Sequence, residues 1–168
     1  MAIRCNECEG KCCRYIAVEV DAPEGMGDFE DMLWWLYHEN VMLYIDDEHD
    51  WILEFRTPCR HLLTGEDVKK ALETGHASSE SHKHNGFAWD NAEHFPKSAC
   101  AIHKKRPKMC RTHDYEECEV NGEGDYYLAM FDNAEQLEKI IPKYLETLKE
   151  CKGDAKKATK KLSESLKK

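Results

Sequence analysis

Four cysteines fall within thirteen residues, as Cys5-x-x-Cys8-x-x-x-Cys12-Cys13. A segment so dense in thiols must either oxidise them or ligate with them. Two thiols separated by two residues can bend around one ion, because the intervening turn brings their Sγ atoms within about 4 Å, the edge of a tetrahedral site. Cys59, Cys100, Cys110 and Cys118 follow, so eight thiols lie in the first 118 residues and the ninth, Cys151, stands apart. No basic segment followed by an apolar one opens the chain, so no secretory signal is visible. The longest apolar runs, 32–37 and 41–45, are far too short to cross a bilayer. A cytoplasmic protein is the expectation, and there reduced thiols favour metal ligation over disulfides.

The rest of the chain predicts a small α+β domain with cysteine loops between short strands and helices at the C-terminal end. Residues 15–20 alternate and are β-branched, which predicts a strand. Asp28 is positioned to cap an amphipathic helix to about Glu39, with Phe29, Met32, Leu33, Leu36 and Tyr37 on its buried face. Residues 41–45 and 51–55, joined by an acidic turn, predict a β-hairpin that delivers Cys59 just past its second strand. Thr64 and Asp67 have capping-box spacing for a short helix ending at Gly75. Residues 76–98 are polar and His-rich and predict a loop with a short element at 87–89. Residues 126–131 predict one more strand. A helix from Asn133 to about Cys151 follows, with Leu137, Ile140, Ile141, Tyr144, Leu145 and Leu148 on one side. Pro142 should kink or break it. The expected division is a cysteine-cluster domain over 1–131 and a helical extension with a basic tail over 132–168.

The later thiols sit in Cys59-Arg60-His61-Leu62 and in Cys100-Ala101-Ile102-His103-Lys104-Lys105-Arg106-Pro107-Lys108-Met109-Cys110-Arg111, followed by Cys118. With the N-terminal run, these pieces in order resemble the YkgJ-like cysteine-cluster family, a zinc- or iron-chelating type. That pattern carries an N-terminal C-x-x-C-x-x-x-C-C, a middle cysteine close to a leucine, and a late C-x-I-(Y/H)-x-x-R-P-x-x-C-R. The resemblance spans residues 5–118. His103 stands where tyrosine is more usual, and 76–98 is longer than the minimal pattern. It implies that Cys5, Cys8, Cys12, Cys13, Cys59, Cys100, Cys110 and Cys118 are metal ligands. Relatives that include a flagellin lysine methylase imply that such a cluster can accompany catalysis.

Adjacent cysteines tend to project in different directions, so Cys12 and Cys13 are expected not to share one tetrahedral zinc. The preferred partition gives Cys5, Cys8 and one vicinal thiol to a main site completed by a distant thiol. Eight thiols suffice for two four-ligand sites or for one cluster with spare ligands. Arg4, Lys11, Arg14, Arg60 and Arg111 each adjoin a cysteine, where a cation favours the thiolate. Arg106 and Arg111 are the residues expected to compensate the charge of the cofactor, while Pro107 also fixes a turn between Cys100 and Cys110. His61, His103 and His113 lie within three residues of a cysteine and could add nitrogen ligands. All-sulfur ligation suits both zinc and iron. Only one C-x-x-C is present where structural zinc usually has two, so an iron–sulfur cluster or iron is the first expectation and zinc the alternative.

The thiol halves can share a site only if they meet in space, with the hairpin and first helix inserted between them as a lobe. The segment 152–168 has seven lysines against Asp154 and Glu164, so it carries +5 and residues 1–151 carry −14 of the net −9. An acidic body argues against nucleic acid as partner, and the tail reads as a dispensable, solubilising helix. No G-x-S-x-G, phosphate-cradling glycine loop or H-E-x-x-H is present. The functional expectation is a cysteine-held metal centre for electron transfer or for support of a redox or transfer reaction, serving a protein partner. The other reading is a zinc-stabilised interaction module without activity.

Overall fold

The acidic stretch at Asp46–Asp50 reverses the chain as the sequence predicts. In a computed structural model, which describes residues 9–74, 97–102, 105–112 and 126–166, it joins β2 (Val41–Asp46) to β3 (Trp51–Phe55). Asp46 Oδ1 accepts from the backbone N–H of Glu48 and Asp50, and His49 takes the left-handed φ of 67° that closes the turn. β1 (Ile16–Val20) pairs antiparallel with β3, and β6 (Tyr127–Phe131) pairs antiparallel with β2, giving the order β1-β3-β2-β6. Helices and antiparallel strands together make the chain α+β. No helix among the described residues is long and apolar enough to cross a membrane.

The chain divides into two compact units, one of Met1–Arg14 with Pro58–Gly122 and one of Tyr15–Thr57 with Glu123–Lys168. These divisions differ from the 131/132 boundary expected above, because β6 completes the same sheet as β2 and the terminal helices close its core. The two units thus alternate along the chain, with Tyr15–Thr57 lying in sequence between the two segments of the first.

In the second unit, α1 (Met26–Leu36) starts where Asp28 Oδ2 accepts from the N–H groups of Glu24 and Gly25, so Asp28 caps from inside the first turn. Phe29, Met32, Leu33 and Leu36 are buried, but Tyr37 is 69% exposed, because the helix ends at Leu36 and Tyr37 falls off its inner face. Trp34 is exposed and Trp35 half-buried against the core. The predicted C-terminal helix is two helices, α4 (Ala134–Glu138), capped by Asn133, and α5 (Ile141–Glu150). Pro142 sits in the first turn of α5, where its missing N–H costs nothing, so the break precedes it. Trp51 is the hub of the core: its ring stacks on Phe131 at 5.8 Å and meets Phe29 and Tyr144 edge-on at 6.3 and 6.0 Å.

The tail is not a merely solvated helix. The final helix, α6 (Ala155–Leu166), buries Ala158, Thr159, Leu162 and Ser163. Thr159 Oγ1 accepts from Trp51 Nε1 at 2.9 Å, His49 Nδ1 is 2.9 Å from Ser163 Oγ, and Lys156 pairs with Asp50 at 2.9 Å. The inner face is built of small and hydroxyl-bearing residues, so a count of large apolar side chains misses it. The lysines occupy the outer face.

Candidate metal centre

Gly10 opens the thiol-bearing unit with φ at +71°, a conformation that favours glycine. A Cβ there would meet Leu62 Cδ1 at 2.6 Å and Ser98 Oγ at 3.0 Å, so the bare backbone lets the N-terminal segment press on its neighbours. A 3₁₀ turn at Lys11–Cys13 follows, closed by Cys13 N–H donating to the Gly10 carbonyl at 2.9 Å. Arg14, expected to face a thiolate, instead donates from Nε to the Glu9 carbonyl at 3.0 Å.

The Cys13 carbonyl accepts from Cys59 N–H at 2.7 Å, which fixes the middle cysteine beside the vicinal pair. Two residues on, β4 (Leu62–Thr64) pairs antiparallel with β5 (Ser98–Cys100), placing Leu62 opposite Cys100. His61 contributes its carbonyl, which accepts from Ala101 N–H at 2.9 Å. Thr64 closes this strand pair and is itself the strand's last residue, with Gly65 at φ 54° leading into α2 (Glu66–Glu73). The sequence pattern missed both strands, since three residues are too few for an alternation to register.

Three separate segments therefore deliver Cys12 and Cys13, Cys59, and Cys100 to one region, and Arg106 joins them from a fourth. The Cys12 side chain hydrogen-bonds that of Cys13, so the vicinal thiols converge, contrary to the expectation that they diverge; the tight 3₁₀ turn brings them together. That bond, with the Arg106 guanidinium, brings the Cys13 thiol from its ordinary 9.0 down to about 6 against the opposing effect of burial. Burial pushes the Cys100 thiol up. A bond from the Ile102 backbone and the charge of Arg106 oppose that rise, while the neighbouring Cys13 and Cys59 add to it. Of the two arginines expected to compensate charge, Arg106 faces the thiols. Arg111 is exposed on α3 (Lys108–Thr112), as is Cys110 on the same helix.

The six described cysteines, Cys12, Cys13, Cys59, Cys100, Cys110 and Cys151, are not in disulfides. Among the described residues no group of three or more His, Cys, Asp or Glu side chains is assembled to hold a metal ion. Cys5, Cys8 and Cys118 lie outside the described residues, as do Arg4, His103, His113 and the His-rich stretch with its expected element at 87–89. Cys151, apart from the pattern, packs half-buried against the core of the other unit. Comparison of the chain with protein-family models, curated proteins and solved structures finds no match.

Proposed function

We propose that this chain is a metal-binding protein of the YkgJ-like type, holding an iron–sulfur cluster or iron in a multi-cysteine site. The reading is supported by one observation above all: Cys13, Cys59 and Cys100, distant in sequence, interact electrostatically beside Arg106. Thiols in this number and kind suit soft metal ions, and a guanidinium offsets the negative charge that tetrathiolate ligation builds up. Cys12, Cys13, Cys59 and Cys100 would hold the group together with Cys5, Cys8, Cys110 and Cys118, and Arg106 would compensate its charge. When bound, an iron–sulfur cluster supplies one-electron transfer at a potential set by such neighbours. The site belongs to a reducing compartment such as the cytoplasm, where the thiols stay open to metal.

Purification without oxygen tests this directly. An iron–sulfur centre gives a brown protein with equimolar iron and acid-labile sulfide, and Cys13→Ser, Cys59→Ser and Cys100→Ser each abolish the colour. A colourless protein with stoichiometric zinc moves the function to the interaction module. A folded protein that binds neither metal overturns both.

A further inference from the structure

An open edge lies on the other unit. β1 is the outer strand of the sheet and its only ladder partner among the described residues is β3. Edge strands are normally blunted by a bulge, a proline or inward charges. β1 has an unbroken register from Ile16↔Phe55 to Val20↔Trp51, no proline, and a single charge, Glu19. Its apolar side chains are uncovered: Ile16 is 57% exposed and Val18 43%, with Phe55, opposite Ile16, at 39%.

We infer that two copies of this chain pair antiparallel through β1 about a two-fold axis at Val18, joining their sheets edge to edge. The strand is self-complementary in that register. Val18 opposes Val18 of the second copy, Ile16 opposes Val20, and Glu19 opposes Ala17, so no like charges face each other. Ile16, Val18 and Val20 share one face and extend the row of Phe55, Leu53 and Trp51, so pairing continues an apolar surface across the axis. Moving the axis to Glu19 would set two carboxylates opposite each other, and moving it to Ala17 would put Glu19 and Val20 opposite Tyr15 and Arg14, outside the strand, so the Val18 register alone pairs all of β1 without facing like charges. A symmetric edge contact of this length falls among small interfaces, below about 1,200 Å². It is therefore a reversible dimer with micromolar affinity or weaker. This inference is independent of the metal reading, since every residue in it belongs to the unit without the thiol site.

Sedimentation velocity on the full chain as purified, under reductant, reads this from low-micromolar to near-millimolar protein. Wild type should pass from monomer to dimer, and amide exchange over 16–20 should slow as concentration rises. Val18→Lys sets two ammonium groups on the axis and should weaken association at least about tenfold. Its melting should be unchanged, since Val18 is substantially exposed. Glu19→Lys, facing Ala17, should dimerise within about twofold to threefold of wild type. A monomer at every concentration overturns the inference, even where this edge takes a strand of another protein. A dimer indifferent to Val18→Lys overturns it too, as does a dimer weakened equally by Glu19→Lys, or one whose residues 16–20 gain no protection.

Discussion

Removing one oxygen from α6 should unsettle the core around Trp51. Thr159 is fully buried, and its Oγ1 accepts from Trp51 Nε1 at 2.9 Å, lies 3.2 Å from the Tyr144 hydroxyl and donates to the Ala155 carbonyl at 3.0 Å. Thr159→Val keeps the shape and deletes the acceptor. The Tyr144 hydroxyl retains the Ala155 carbonyl at 3.2 Å, but the indole N–H of Trp51, also fully buried, loses its acceptor. A buried donor left unmade costs about 1–3 kcal/mol. For units of about 60–100 residues each kcal/mol lowers the melting temperature by about 4–8 °C. A central value of about 2 kcal/mol therefore predicts a fall of roughly 10 °C, read by near-ultraviolet circular dichroism. Thr159→Ser keeps the hydroxyl and should fall by less than half as much. Truncation after Gly153, which removes the whole helix, should abolish the cooperative transition of this unit. If Thr159→Val and the truncated chain both melt like wild type, α6 does not close this core and the packing argument fails.

Other outcomes follow from single contacts. Leu162→Ala, at a site 1% exposed, should cost about 2–5 kcal/mol, measured by chemical denaturation. Gly10→Ala adds a Cβ at a positive φ and against Leu62, which should destabilise the thiol-bearing unit by about 1–2 kcal/mol; faster proteolysis there is the readout, and Gly25→Ala, which meets nothing within 4 Å, is the control. Arg56→Ala removes the cation shared by the buried Glu54 at 3.2 Å and Asp132 at 2.9 Å. With the guanidinium half-exposed, the cost should be about 1–2 kcal/mol, shrinking when Glu54→Gln is added. In metal-free protein the Cys13 thiolate, the nucleophilic form, persists down to its pKa of about 6. Alkylation at Cys13 should therefore hold steady above that pH and fall below it, and Arg106→Ala should move the midpoint upward, as followed by mass spectrometry.

What the sequence made legible were features written in local pattern. The alternation in β1, the acidic turn between β2 and β3, and the break before Pro142 each follow from a few neighbouring residues. The docking of α6 did not show, because Ala158, Thr159, Leu162 and Ser163 bury through small size and hydrogen bonds, not hydrophobicity, and the lysines around them dominate the composition. The pairing of β6 with β2 is long-range, and nothing within either strand names its neighbour. The convergence of Cys12 and Cys13 depends on the tight 3₁₀ turn after Gly10, whose positive φ and lack of room for a Cβ beside Leu62 and Ser98 the cysteine spacing does not encode.

The gathering of thiols is also a problem of chain closure. Between Cys13 and Cys59 the chain leaves the thiol-bearing unit and builds three of the four strands of a sheet before returning. Were that stretch flexible, bringing its ends together would cost loop-closure entropy. It is not flexible: β1 and β3 are adjacent antiparallel strands, and the register Ile16↔Phe55 sets the two ends of the inserted segment side by side. Within the thiol-bearing unit, the bond from Cys59 N–H to the Cys13 carbonyl at 2.7 Å holds the two flanking segments together. The ladder and the thiol-bearing unit are joined by chain connectivity, at Arg14–Tyr15 and Thr57–Pro58. A substitution that frays its Ile16↔Phe55 end should loosen Cys59 relative to Cys13 while leaving the thiol chemistry of each residue unchanged.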